Sequence, residues 1–415
     1  MIRVRQHIFI GTIAFLGLVT GCNEQNDTPT VDQNPSSLQS SLPFQHYLPL
    51  GYLAFDLLIQ DMNQDQKKDI VLVDHGKNQS QVLFQKDDGQ FLGSPFSNAL
   101  GFHPGNLIPW NPDEGLFVSG GEGTNTIRGL KWGGEVFDVV SAVSIRSPRF
   151  VEELHWPGWG RSVVSSPYSL DQIDILKGYD PLSGKGESHE MVPLAKNRPS
   201  IREPNRLTLA DINNDGIEEI LMALRISKEI MVVRYPGSSL KKKIKKPVAE
   251  VLATNERWAM PNNIGVLDVD RKNGLDLLIP DEVMPGMLHI LMNDGQGAFK
   301  EAPDIALPEQ QGAIAIEAAV EETPDHRSRG LVVLSSIAGL TLYEVTEAGL
   351  AAPWRSWTIP NQRGRAAHRI EITDLDHDGE MDLVALYPKG LWVVEGPLVD
   401  RFEEMAVKGF RLSTD

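Results

Sequence analysis

The sequence predicts an all-β chain, a β-propeller of seven four-stranded blades, and three observations carry that prediction. A short run of apolar residues recurs seven times, beginning at Ile70, Leu116, Val163, Ile220, Leu277, Leu331 and Leu383, at steps of about fifty residues. Four of these runs follow an acidic loop of fixed spacing. Between them, candidate strands of four to eight residues are broken by Gly and Asp turns, such as Asp88-Gly89 and Asp294-Gly295, which is the pattern of short antiparallel strands. A unit of about fifty residues holds four short strands and cannot bury both of its faces alone. A ring of such units can, so residues 43–415 are expected to form one domain.

The N-terminus precedes that domain and reads as a processing signal. Arg3 and Arg5 make a positive start, Ile8 to Val19 is almost wholly apolar, and Val19-Thr20-Gly21-Cys22 closes the segment. Residues 1–22 therefore resemble a bacterial lipoprotein signal peptide, which implies acylation of Cys22, the single cysteine of the chain. Asn23 is not the aspartate tied to inner-membrane retention, so the resemblance favours the outer membrane or cell surface. Residues 23–42 are Asn, Gln, Asp, Ser, Thr and Pro with little to bury, and are expected to be a disordered tether.

Charge and composition narrow the partners. The chain carries 39 basic and 56 acidic residues, a net charge of −17, which argues against nucleic acid, whose phosphates need a basic face. One cysteine excludes structural disulfides within the chain, a thiolate metal site of several ligands and, if acylated, a cysteine nucleophile.

The acidic loops carry the clearest chemistry. Two are complete, Asp374-Leu-Asp376-His-Asp378-Gly379 with Asp382, and Asp211-Ile-Asn213-Asn-Asp215-Gly216 with Glu219. A third, with Asp61, Asn63, Asp65 and Asp69, has Gln66 in place of the glycine. A degenerate copy keeps Asp268, Asp270 and Asp276 but has Lys272 at position five, where an ammonium could replace a cation. Oxygens at positions one, three, five and nine of a tight loop converge on one point, and an all-oxygen shell suits a hard cation of high coordination number, Ca2+. Position nine opens directly into a strand, unlike the helix-flanked EF-hand.

These residues resemble the FG-GAP/VCBS repeats of integrin-α-like propellers. That resemblance implies calcium loops between the first and second strands of each blade, and a calcium that braces the fold. The resemblance is weak in the blades near residues 113, 163 and 325; in Trp110 to Gly115 and Thr323 to Ser328 the acids are too few or misplaced, and no metal site is carried onto them.

Other positions are candidates for recognition. Asn106, Asn205, Asn262 and His368 stand at the start of the inner strands and could form a polar ligand ring at one mouth of the central channel; local backbone hydrogen bonding before each strand is the favoured reading of the asparagines. Trp156-Pro-Gly-Trp159-Gly160 is expected to lie in a loop between blades, with aromatics exposed to a sugar or partner, or to be a packed corner. Lys241 to Lys246 is the one basic run and reads as edge-strand protection or a contact with anionic lipid. No H-E-x-x-H, G-x-S-x-G or phosphate-cradling glycine loop is present.

The favoured expectation is a lipid-anchored, calcium-binding propeller that binds a protein or polysaccharide at the cell envelope without catalysis. One alternative is a polysaccharide lyase or hydrolase working at the channel mouth with His368, Arg206 and Arg369. Another is a scaffold subunit of an envelope complex.

Overall fold

The computed structural model describes residues 38–39, 45–167, 170–194, 204–236, 246–272, 274–322, 328–346, 349–350, 355–357 and 366–408. Contacts divide the chain between Ser36 and Ser37, and every described residue lies in the second unit. Cys22 and the signal-like segment lie outside the described residues, as do 241–245 of the lysine run.

Seven antiparallel sheets follow one another along the chain. The second strands are Asp69–Asp74, Leu116–Gly121, Gly160–Pro167, Glu219–Leu224, Asp276–Pro280, Ser328–Ser336 and Asp382–Tyr387, and each carries one of the seven apolar runs. Most are buried along their whole length. The reason is position: a second strand is covered on both faces by neighbouring blades, so it reads as continuous apolar sequence. Outer strands such as Phe137–Ser144 and Val248–Thr254 are exposed or half-buried along nearly all their length.

The core is correspondingly divided. Among the described residues, seven apolar clusters occur, one at each junction between consecutive blades. Val71, Val73 and Val82 of blade one meet Leu107, Phe117 and Leu130 of blade two, and Val384 and Leu386 of blade seven return to Ile70 and Leu72 of blade one. At one junction the inner strands come very close. A Cβ added to Gly105 would lie 1.3 Å from the carbonyl oxygen of Arg149, so only glycine fits there.

Ring closure uses both ends of the domain. Gln45–Pro49 pairs with Gly390–Val394 and supplies an outer strand to blade seven. Leu38 and Gln39, expected in the tether, pair with Tyr47 and His46 and extend the same sheet. The chain then adds an element absent from the repeat, a helix over Leu398–Lys408. Leu398, Val399, Phe402 and Met405 pack against Leu340, Tyr387 and Trp392 and cover the junction of blades six and seven. Their spacing along one helical face is visible in the sequence, but the strand repeat masked it.

Candidate functional site

The acidic loops lie between the first and second strands of their blades, Gln60 to Asp69, Ala210 to Glu219, Leu267 to Asp276 and Thr373 to Asp382. Each is closed by its own side chains. Asp61 Oδ1 accepts from the N–H groups of Gln64 and Asp65, and its Oδ2 from that of Gln66. Asp211 accepts in the same way from Asp215 and Gly216, and Asp374 from Gly379. Position six is left-handed wherever described, with φ of 72° at Gln66, 80° at Gly216 and 91° at Gly379. Glycine takes that conformation freely, while Gln66 adopts it at a cost of about 1 kcal/mol.

Position nine has a structural duty that its reading as a ligand did not anticipate. Asp69, Asp276 and Asp382 are buried, and each accepts two backbone N–H groups. One comes from loop position two (Met62, Val269, Leu375) and one from the end of the third strand or just beyond it (Gln85, Asn293, Gly396). The carboxylate therefore staples the loop to its own blade. Glu219 accepts from Ile212 N–H and from Asn213 Nδ2, and lies 3.4 Å from Arg234. Burial pushes Asp69 up to about 6, Glu219 to about 7 and Asp382 to about 7, against the opposing pull of these N–H donors.

Position four stitches neighbouring blades. The side chains of Gln64, Asn214 and Arg271 donate to Asp113 O, Gly295 O and Val345 O of the following blade. Any ion held in such a loop would sit at a blade junction.

The donor sets differ in how well they suit a cation. Carboxylate oxygens of Asp374, Asp376 and Asp382 lie within 4.8 Å of one another, as do those of Asp268, Asp270 and Asp276. Asp374 Oδ1 is buried and accepts no hydrogen bond, which fits an oxygen reserved for a metal. In the Asp211 loop, Asn213 turns its amide nitrogen to Glu219 and its oxygen to Asp215 N–H; in the Asp61 loop, Asn63 likewise donates to Asp65 Oδ2. Lys272 does approach the degenerate loop, 3.4 Å from Asp270 Oδ2, with its side chain 69% exposed, so its ammonium pairs with one carboxylate of the cluster from the solvent side.

The polar ring is distributed otherwise than a shared ligand site requires. Asn106 spends both amide atoms on Val151 of the next blade, at 2.8 Å each. Asn262 donates to Ile314 O of its neighbouring blade at 3.2 Å. Asn205 lies in strand Pro204–Ala210, its side chain outside the described residues. Of the three whose side chains are described, His368 lines the central cavity, together with Arg206 and Arg369. The cavity also receives Glu152 and Glu317, neither of which the sequence singled out. The available signal was a charged residue alternating with apolar ones in an inner strand, as in Arg369-Ile-Glu371-Ile.

The tryptophan segment proves to be the hairpin between the first two strands of blade three, not an inter-blade loop. Trp156 is buried, donates from Nε1 to Glu218 O at 2.8 Å, and packs edge-on to Trp159 and Tyr235. It is a packed corner. Lys246 of the basic run lies 3.5 Å from Glu190. In blade five, buried His289 sits between Asp281 at 2.8 Å and Asp304 at 2.9 Å beside Trp258. Burial works against the imidazolium, but the two carboxylates outweigh it and hold its pKa raised.

No family model matches the sequence, and the search of curated proteins returns no match. The FG-GAP/VCBS resemblance accordingly rests on the loops themselves. Among solved structures the chain is similar to Sqt1 of Saccharomyces cerevisiae, with 11% identity, a TM-score of 0.50, and coverage of 79% of this chain and 81% of that one. It is also similar to the WD40 β-propeller domain of Doa1, with 12% identity, a TM-score of 0.47, and coverage of 83% and 97%. Likeness at this identity shows a shared fold, and the fold is a seven-bladed β-propeller.

Proposed function

We propose that the protein is a lipid-anchored, calcium-braced propeller that binds a protein partner at the cell envelope and performs no catalysis. The observation that carries the binding reading is a set of exposed apolar side chains on the face opposite the acidic loops. Successive strands alternate direction, so turns between second and third strands all open on that face. In blades four, five and six they present Ile226, Val283, Met284 and Ile337, with Met284 65% exposed. Arg225 of the first turn pairs with Glu282 of the second at 2.7 Å, so neighbouring tips are held as one surface. Exposed apolar groups on three successive turns of one face favour a protein partner over a polysaccharide.

Calcium would be held by Asp374, Asp376, Asp378 and Asp382, with the Asp61 and Asp211 loops as further sites. The unpaired Asp374 Oδ1 and the inter-blade stitching at position four support a bracing role. Anchoring through Cys22 is supported by the charged and apolar segment before it.

The test is cross-linking and co-purification from native envelope extracts, comparing the wild type with the triple variant Ile226→Asp, Met284→Asp, Ile337→Asp. One stoichiometric protein should be recovered with the wild type and lost with a variant of unchanged circular dichroism. Equal recovery by both, or turnover of an oligosaccharide by the purified chain, would refute the reading.

A further inference from the structure

The central channel holds a cavity of about 290 Å3 surrounded by inner strands of blades three to seven. Its charges are unevenly matched. Arg206 of blade four reaches across the ring to Asp56 of blade one, with an N···O distance of 2.7 Å, and its guanidinium lies 4.9 Å from the ring of Phe150. Arg369 of blade seven contacts Glu371 and lies 3.8 Å from the same Asp56 carboxylate. Both guanidiniums are thus committed to carboxylates of their own. Glu152 of blade three and Glu317 of blade six also line the cavity, and neither makes a hydrogen bond or close ion pair to a described residue. They stand three blades apart, the widest separation in a seven-membered ring.

Two surplus carboxyl groups in a confined space are unfavourable unless they are protonated or met by cations. An anionic ligand would find its natural partners, the arginines, already neutralised. An apolar one would strand the polar lining. The volume is near the lower end of the roughly 300–1,000 Å3 typical of ligand sites, which suits a ligand of few heavy atoms.

We propose that this cavity binds a small organic dication, an α,ω-diamine, with one ammonium group received by Glu152 and the other by Glu317. The electrostatics agree with that assignment. Burial pushes Glu152 up to about 7, even though Arg369 and Arg206 draw it down. Burial and the charge of Glu371 likewise raise Glu317. The two carboxyls therefore hold protons near neutrality, and a diamine would displace them. Among the described residues, the other titratable groups lining the cavity are His368 and the two arginines. Asp56 and Glu371, paired with those arginines, also act on the glutamates, Asp56 on Glu152 and Glu371 on both. Affinity should rise between pH 6 and pH 8, as the two carboxyls lose the protons that compete with the ligand.

Isothermal titration of the full chain in calcium-saturated buffer tests this, with putrescine, butanediol and succinate as probes, each in two buffers of different ionisation enthalpy. Putrescine should bind with net proton release, and butanediol and succinate should not bind. Glu152→Gln and Glu317→Gln, which keep the shape of the side chain, should each weaken putrescine at least tenfold. Absence of a putrescine signal, equal binding of either other probe, or full affinity in both variants would overturn the proposal. The proton count in the wild type is a second readout that does not depend on the variants folding.

Discussion

Asp276→Asn isolates the staple at loop position nine, because its loop carries Lys272 and is the degenerate member of the set. In the folded chain Asp276 is fully buried, accepting Val269 N–H at 2.8 Å and Asn293 N–H at 2.7 Å. The effect extends further, since Asn293 Nδ2 donates to Ile212 O of the neighbouring blade and to Leu275 O. The amide keeps the carboxylate's shape but replaces one acceptor by a donor that faces a backbone N–H. One charge-assisted hydrogen bond is lost and one buried N–H is left without an acceptor, a combined cost of about 3 kcal/mol. For a domain of ~370 residues the entropy of unfolding is about 0.8 kcal/mol/K, so Tm should fall by about 4 °C. Calorimetry in chelator and in calcium measures it. The drop should be of similar size in both, because the staple needs no ion. A change under 1 °C in chelator, or a loss confined to calcium buffer, would refute the reasoning. Glu219→Gln should cost less, since Glu219 accepts only one backbone N–H.

Three further outcomes are expected. Asp374→Asn should leave Tm in chelator within about 1 °C of wild type while shrinking the rise on adding calcium, which for one site at a hundredfold excess over Kd is about 2.7 kcal/mol; an unchanged calcium response would remove that loop from the metal sites. Gly105→Ala should destabilise by at least about 3 kcal/mol, because its methyl would overlap the Arg149 carbonyl, and denaturant unfolding would show a shifted midpoint. Glu152 has a folded pKa above its ordinary value, so its contribution is present below about pH 4.5 and lost as pH rises through about 7. Glu152→Gln should therefore match wild type near pH 5 and exceed it near pH 8 by about 1–2 kcal/mol, allowing for water in the channel; parallel stability curves would contradict this.

The repeat and its loops were legible because each answers a local requirement. A second strand covered by two blades must be apolar throughout, as in Leu221 and Met222, so seven such runs mark seven blades. A loop that reverses over six residues needs Asx side chains to cap its N–H groups and a left-handed position six, so Asp211 to Gly216 and Asp374 to Gly379 stand out in sequence. The position-nine carboxylates were visible too, but their role was not, because Gln85, Asn293 and Gly396 approach them from a strand further along the chain.

The seven blades and their acidic loops are thus properties of the sequence alone, since period and turn chemistry are written in neighbouring residues. Only the tertiary structure decided what those blades enclose. Asp56 and Arg206 are 150 residues apart and meet because the ring closes through Gln45–Pro49. Glu152 and Glu317 share a cavity because their strands face inward. A charge on one strand says nothing of the charge across the channel until closure brings the two together.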